Sequence, residues 1–127
     1  MHGDILWQLP VPQDDRRPAG QRVRLALVGF GYWGPNYARV LNDLPDAELT
    51  VVCDRSIDRL ALVRQRYRSV ATCASEGELF ARDDIDAVVI ATPASTHADL
   101  VRAALGRGLH AVSEGKLALI EMVLARI

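Results

Sequence analysis

The stretch Val23-Arg24-Leu25-Ala26-Leu27-Val28-Gly29-Phe30-Gly31-Tyr32-Trp33-Gly34 decides the reading of the fold. Its first six residues form a compact apolar run that ends abruptly in glycine. After the loop, Tyr37, Val40, Leu41 and Leu44 recur at helical spacing, which predicts an amphipathic helix over about residues 33–43. Asn42-Asp43 and Pro45-Asp46 supply the turn after it. A second apolar run, residues 48–53, ends at Asp54. The local order is therefore strand, glycine loop, helix, strand, acid.

The remaining sequence repeats this alternation. Ser56 stands where an N-cap belongs, with Ile57, Leu60, Ala61 and Val63 marking one side of a second helix. A short strand is expected over residues 69–73. Ser75 and Glu78 have capping-box spacing before a brief helix through Leu79 and Phe80. Ala87-Val88-Val89-Ile90-Ala91 lacks polar alternation, as expected of a parallel strand covered on both faces. Ser95 or Thr96 is expected to cap a fourth helix carrying Leu100, Val101, Ala104 and Leu105, closed by Gly106 or Gly108. A fifth strand follows over 110–113, and residues 117–127 look helical. Strands alternating with helices across short loops predict an α/β fold, a doubly wound parallel sheet of about five strands with right-handed crossovers.

Gly29, Gly31 and Gly34 make a G-x-G-x-x-G pattern, with Phe30, Tyr32 and Trp33 in the variable places. Alone the pattern is weak. Here a strand precedes it, a helix follows, and Asp54 lies about 20 residues beyond Gly34 at a strand end. The first glycine permits the tight turn, the second leaves room for a pyrophosphate, and the third lets the helix pack on the strand. Free N–H groups and the helix dipole then face the phosphates. Asp54 is placed to accept hydrogen bonds from adenosine ribose hydroxyls, and its charge disfavours a 2′-phosphate. This is the pattern of a Rossmann-type domain for a nicotinamide dinucleotide, with NAD favoured. Arg55 keeps NADP open, because a guanidinium can hold a 2′-phosphate or stack on adenine. Tyr37 reads as core, while Trp33 either borders the cofactor cleft or covers the sheet edge. In the bland alternative the glycines turn a corner and Asp54 is a solvated strand end; four coincident features argue against it.

Composition is that of a globular domain: 127 residues, 50% apolar, 24% charged, formal net charge −1. The charge balance gives no electrostatic reason for binding nucleic acid or an anionic membrane. No apolar run approaches the ~18 residues of a membrane span. Cys53 and Cys73 form no spaced ligand motif, so they read as free thiols with no metal site, and a cytoplasmic location is expected. Residues 1–21, with Pro10, Pro12, Pro18 and no sustained periodicity, read as a flexible leader, and 22–127 as the nucleotide-binding domain.

Three stretches resemble the Gfo/Idh/MocA oxidoreductases: Val28 to Asn36 with its Tyr-Trp-Gly-Pro-Asn run, Ala91-Thr92-Pro93-Ala94-Ser95-Thr96-His97, and Gly108 to Glu114. The resemblance spans residues 23 to about 119. It implies oxidation of a sugar, cyclitol or polyol hydroxyl with NAD or NADP, and a C-terminal α/β domain that supplies much of the substrate pocket. It places Thr92, Pro93 and His97 on the cofactor cleft, although His97 equally suits a capping or packing role. Glu114 would belong to the family's Glu-Lys-Pro motif. Here Glu114-Gly115-Lys116 leaves Gly115 in the catalytic lysine's place, so Lys116 is the only candidate for that role and a displaced one. The chain is thus expected to be truncated before the substrate domain and incompetent alone, with a separate substrate-domain chain as a candidate partner. The alternatives are a non-catalytic NAD(H)-binding or redox-sensing module, or an inert remnant.

Overall fold

A computed structural model describes residues 22–113. The leader read over residues 1–21, the motif residues Glu114 and Lys116, and the helix expected over 117–127 lie outside the described residues. Along the chain come β1 (Val23–Val28), α1 (Gly34–Asp43), β2 (Ala47–Cys53), α2 (Ile57–Arg66), β3 (Ala71–Cys73), α3 (Glu76–Phe80) and β4 (Ala87–Ile90). A 3-10 turn (Ala94–Thr96), α4 (His97–Gly106) and β5 (His110–Ser113) follow. The strands form one sheet in the order β3-β2-β1-β4-β5, every pair parallel. The expected doubly wound α/β architecture is present.

Alternate residues of the strands feed two separate cores. Leu25, Leu27, Val52, Val89 and Val112 pack with Ala38 and Leu41 of α1 and Val63 of α2. Ala26, Val28, Val51, Val88 and Ile90 pack on the other face with Leu79 of α3 and Leu100 and Ala104 of α4. A sheet covered on both faces explains why β1 and β4 read as unbroken apolar runs. Each fully buried Leu or Val adds roughly 1.5–3 kcal/mol of burial free energy.

In β2 the pairing with β1 slips: Leu25 faces Leu49, but Ala26 faces Val51. Thr50 is the extra residue. Because side chains alternate, one inserted residue exchanges the faces of all that follow. Leu49 belongs to the α1/α2 core, whereas Val51 and Cys53 belong to the α3/α4 core.

Several local expectations need correction. On α2, Leu60 and Val63 are buried, but Ile57 (73% exposed) and Ala61 face outward, so the buried stripe is narrower than its apolar composition. Strand β3 is three residues rather than five. Neither Ser95 nor Thr96 caps α4 through its side chain; the chain enters by the 3-10 turn, and the Thr96 hydroxyl donates back to the Pro93 carbonyl at 2.7 Å. At the far end Gly106 is the last helical residue, while Gly108 takes the left-handed conformation (φ +74°) that stops the helix. The other caps hold: Ser56 Oγ accepts from the Arg59 N–H at 3.3 Å, and Ser75 Oγ from the Glu78 N–H at 3.2 Å. Among the described residues no helix is long and apolar enough to cross a membrane.

Candidate functional site

The strand order reverses at β1, with β2 on one side and β4 on the other. In such sheets ligands lie at the carboxyl ends of the strands beside the reversal. The glycine loop leaves β1 at this point, moored on both sides. The Gly29 N–H donates to the Cys53 carbonyl at 2.8 Å, and the Ala91 N–H to the Val28 carbonyl at 2.8 Å.

The three glycines have different reasons to be glycine. Gly29 has φ +100°, and a Cβ there would stand 3.0 Å from the Ala91 carbonyl carbon and from Thr92 Cγ2. Gly34 begins α1 so close to the loop that its Cβ would meet the Gly29 oxygen at 2.4 Å. The third glycine therefore packs the helix against the loop's own first carbonyl rather than against the strand. Gly31 differs from both: the nearest atoms to its missing Cβ belong to the Arg59 guanidinium, Nη1 at 3.3 Å. Only the tip of a flexible, half-exposed side chain occupies the space above it. No side chain caps α1, Pro35 lies in its first turn, and no acidic residue occupies that turn. The positive end of its dipole therefore faces this space uncompensated.

Asp54 holds the loop from the side. Its carboxylate is buried, with Oδ2 accepting the Phe30 N–H at 2.7 Å and Oδ1 the Ser56 N–H at 2.8 Å. Each carboxylate oxygen can accept more than one hydrogen bond, so the group keeps acceptor capacity beyond these two amides. Arg59 Nη1 lies 3.9 Å from Oδ2. Arg55 is exposed, with Nη2 3.6 Å from Glu76 Oε1, and both border the larger cleft.

Two clefts meet over these groups. The larger, about 640 Å³, runs from Asp54 and Arg55 past Gly77 and Phe80 toward Thr92 and Pro93. The smaller, about 330 Å³, lies over Gly31 between Tyr32, Trp33 and Pro93. Gly29, Asp54, Arg59, Thr92 and Pro93 border both. Tyr32 (88% exposed) and Trp33 (59%) stand edge to face with ring centres 5.0 Å apart at the rim, so Trp33 borders the cleft rather than covering the sheet.

Two expected site residues turn their side chains away from the clefts. The Phe30 side chain is buried in the α1/α2 core, and only its backbone serves the loop. His97 lines neither cleft; its Nε2 meets the Thr92 carbonyl at 2.7 Å, tying the loop after β4 to the start of α4. Thr92 and Thr96 hydroxyls share a 2.6 Å hydrogen bond that braces the same loop. Arg59 was not anticipated. Its signal was its place three residues after the Ser56 cap, in the first turn of the helix that leaves the Asp54 strand end.

Residues 23–118 match the family described as "Oxidoreductase family, NAD-binding Rossmann fold", the Gfo/Idh/MocA group. The chain belongs to this family. It is an NAD-binding Rossmann domain of the Gfo/Idh/MocA type. Among curated relatives, it is 31% identical over 96 residues to a 4-carboxy-2-hydroxymuconate-6-semialdehyde dehydrogenase of a Sphingobium species, covering 76% of this chain and 30% of that protein. It is 33% identical over 98 residues to an inositol 2-dehydrogenase of Rhodococcus erythropolis, covering 76% and 28%. Among solved structures, an oxidoreductase from Agrobacterium radiobacter in complex with NAD+, L-tartaric acid and magnesium superposes with TM-score 0.69 at 27% identity, over 84% of this chain and 32% of that one. The chain thus spans less than a third of the length of these Gfo/Idh/MocA relatives.

Proposed function

We propose that this chain is the cofactor-holding part of an NAD-dependent oxidoreductase acting on a sugar, cyclitol or related polyol hydroxyl. The pyrophosphate lies over Gly31 at the start of α1, the adenosine ribose against Asp54, and the nicotinamide end toward Thr92 and Pro93. NAD supplies the hydride acceptor. The chain's own residues bind and orient it: α1 and the loop offer backbone donors, Asp54 fixes loop and ribose together, and Thr92, Thr96 and His97 hold the β4 loop firm. Asp54 favours NAD(H) over NADP(H) by charge repulsion, offset in part by Arg59 and Arg55.

Hydride transfer also needs the substrate carbon held near the nicotinamide and a group to take the hydroxyl proton. We assign that task to a substrate-binding domain beyond residues 22–113, whether continuous with them or on a partner chain. The observation that carries the reading is the room above Gly31, bounded by a movable arginine and flanked by the Asp54 clamp. Calorimetric titration of NADH into wild type and Gly31→Val tests it. Binding by wild type and loss in the variant are expected; equal affinities remove the loop from the argument.

A further inference from the structure

The cofactor reading makes no use of the two cysteines, yet the fold sets them side by side. Cys53 and Cys73 are register partners at the carboxyl ends of β2 and β3. The Thr50 bulge turns Cys53 onto the α3/α4 face, where Cys73 also lies. Both are free and buried. Each also supports the site through its backbone. The Cys53 carbonyl accepts the Gly29 N–H at 2.8 Å, and the Cys73 carbonyl accepts the Asp54 N–H at 3.1 Å. Cys53 also borders the larger cleft, so the pair lies beside it.

We propose that Cys53 and Cys73 form a dithiol site that a peroxide oxidises to a disulfide, and that this bond loosens the adenosine end of the cofactor site. The second half rests on the cofactor reading above; the first does not.

Adjacent strands lie about 4.8 Å apart, inside the Cα separation a disulfide spans, although its Cβ atoms must approach to about 3.8 Å. Strand β3 can make that approach, being a three-residue edge strand paired only with β2. Hydrogen bonding to Cys73 and then burial push the Cys53 thiol up, while hydrogen bonding to Cys53 holds the Cys73 thiol below its ordinary value. Cys73 is therefore the first nucleophile. Its thiolate attacks one peroxide oxygen; the O–O bond breaks, leaving a sulfenic acid on Cys73 and hydroxide, which takes up the thiol's proton as water. The Cys53 sulfur then attacks the Cys73 sulfur. The S–S bond forms as the S–O bond breaks, and the departing hydroxide takes the Cys53 proton as a second water. Two thiols have lost two electrons and two protons, and the peroxide has become two waters. Drawing β3 inward moves the Cys73 carbonyl, and with it the backbone that aims the Asp54 carboxylate at Phe30 and the ribose.

The full chain, treated with hydrogen peroxide, alkylated and cut with trypsin, decides the first half. Arginines 55, 59, 64, 66 and 68 separate the two cysteines, so a joined peptide is diagnostic. Joined peptides that part on dithiothreitol are expected; separate alkylated or singly oxidised peptides overturn the site. For the second half, NADH is titrated into reduced, oxidised and re-reduced protein. Oxidation should weaken binding about tenfold, the scale of one charge-assisted hydrogen bond. The reductant should restore it, and peroxide should not change the affinity of Cys73→Ser. Joined peptides with unchanged affinity overturn the coupling. A reduced chain that does not bind NADH overturns the cofactor reading and the coupling with it, while the joined peptides alone decide the dithiol site.

Discussion

The same added methyl should have opposite effects at Gly31 and Gly34. At Gly34 the new Cβ would stand 2.4 Å from the Gly29 oxygen and 3.0 Å from its carbon, well inside the ~3.5 Å where non-bonded contacts become favourable. Neither atom belongs to a side chain that can rotate away, so α1 must retreat with Ala38 and Leu41, both fully buried. Overpacking of this kind costs about 1–3 kcal/mol or more, offset by about 1 kcal/mol of helix propensity. A net loss of up to about 2 kcal/mol lowers the melting temperature by as much as roughly 8–16 °C in a domain of this size. At Gly31 the new Cβ would meet only the Arg59 tip at 3.3 Å, and its backbone lies outside the left-handed region. Stability should hold or rise by up to about 1 kcal/mol, because alanine has less unfolded-state freedom to lose. The methyl does fill the room assigned to the pyrophosphate. Losing two charge-assisted hydrogen bonds at about 1.5–3 kcal/mol each weakens NADH binding by at least about a hundredfold. Thermal melts and NADH fluorescence titrations of Gly31→Ala and Gly34→Ala would show it. A Gly31→Ala protein that melts as early as Gly34→Ala, or binds NADH like wild type, would refute the reasoning.

Asp54→Ala should narrow or reverse the preference for NADH over NADPH in paired titrations; wild type already binding NADPH more tightly contradicts the assignment. Asp86 accepts the Arg24 N–H at 2.8 Å, Nε at 3.1 Å and Nη2 at 3.0 Å, at the end of the sheet away from the glycine loop. Its replacement by alanine should cost about 3 kcal/mol in urea unfolding by stranding a largely buried charge, and a loss below about 1 kcal/mol would count against the pair. His110 is half-buried, and desolvation holds its pKa below the ordinary 6.5, against a smaller opposing pull from Asp86. Its contribution is therefore complete above pH 6.5 and is lost as pH falls from there through the folded pKa, so His110→Gln should flatten the acid side of a stability–pH curve. The chain by itself should not form NADH from NAD with inositol, glucose or UDP-sugars; turnover that vanishes in Lys116→Ala would show that Lys116 does the lysine's work.

The fold was legible because its signals are local. Unbroken apolar strands, helical spacing and side-chain caps at Ser56 and Ser75 each need only a few neighbouring residues. The loop was legible for the same reason: glycine spacing reports backbone geometry directly. What escaped the sequence depends on pairing between distant segments. The Thr50 bulge is invisible without β1 beside β2, and with it the face on which Cys53 lies. Arg59 became a site residue only when α2 was set against Gly31. His97 and Phe30 show a related limit, since a residue type next to a loop does not reveal which way its side chain turns. Ile57 and Ala61 show the converse, apolar residues on a helix face that nothing covers within residues 22–113.

Asp54 joins these two kinds of information. The sequence gives it one task, meeting a ribose, and the structure adds another, holding the Phe30 and Ser56 amides that shape the loop and open α2. A carboxylate committed to two backbone donors cannot turn toward a ligand without releasing them, so its orientation is fixed before anything binds. That is preorganisation, and it lowers the ordering cost of binding. It also means that Asp54→Ala removes loop order together with charge. A fall in affinity for NADH and NADPH alike measures the lost clamp, and only the change in their ratio measures the lost repulsion. Arg59 separates the two effects: Arg59→Ala leaves both amide bonds to Asp54 in place while removing the cation nearest its carboxylate. If charge sets the cofactor choice, that variant should shift the ratio further toward NADH while Asp54→Ala shifts it toward NADPH. Shifts in the same direction would place the choice in loop geometry instead.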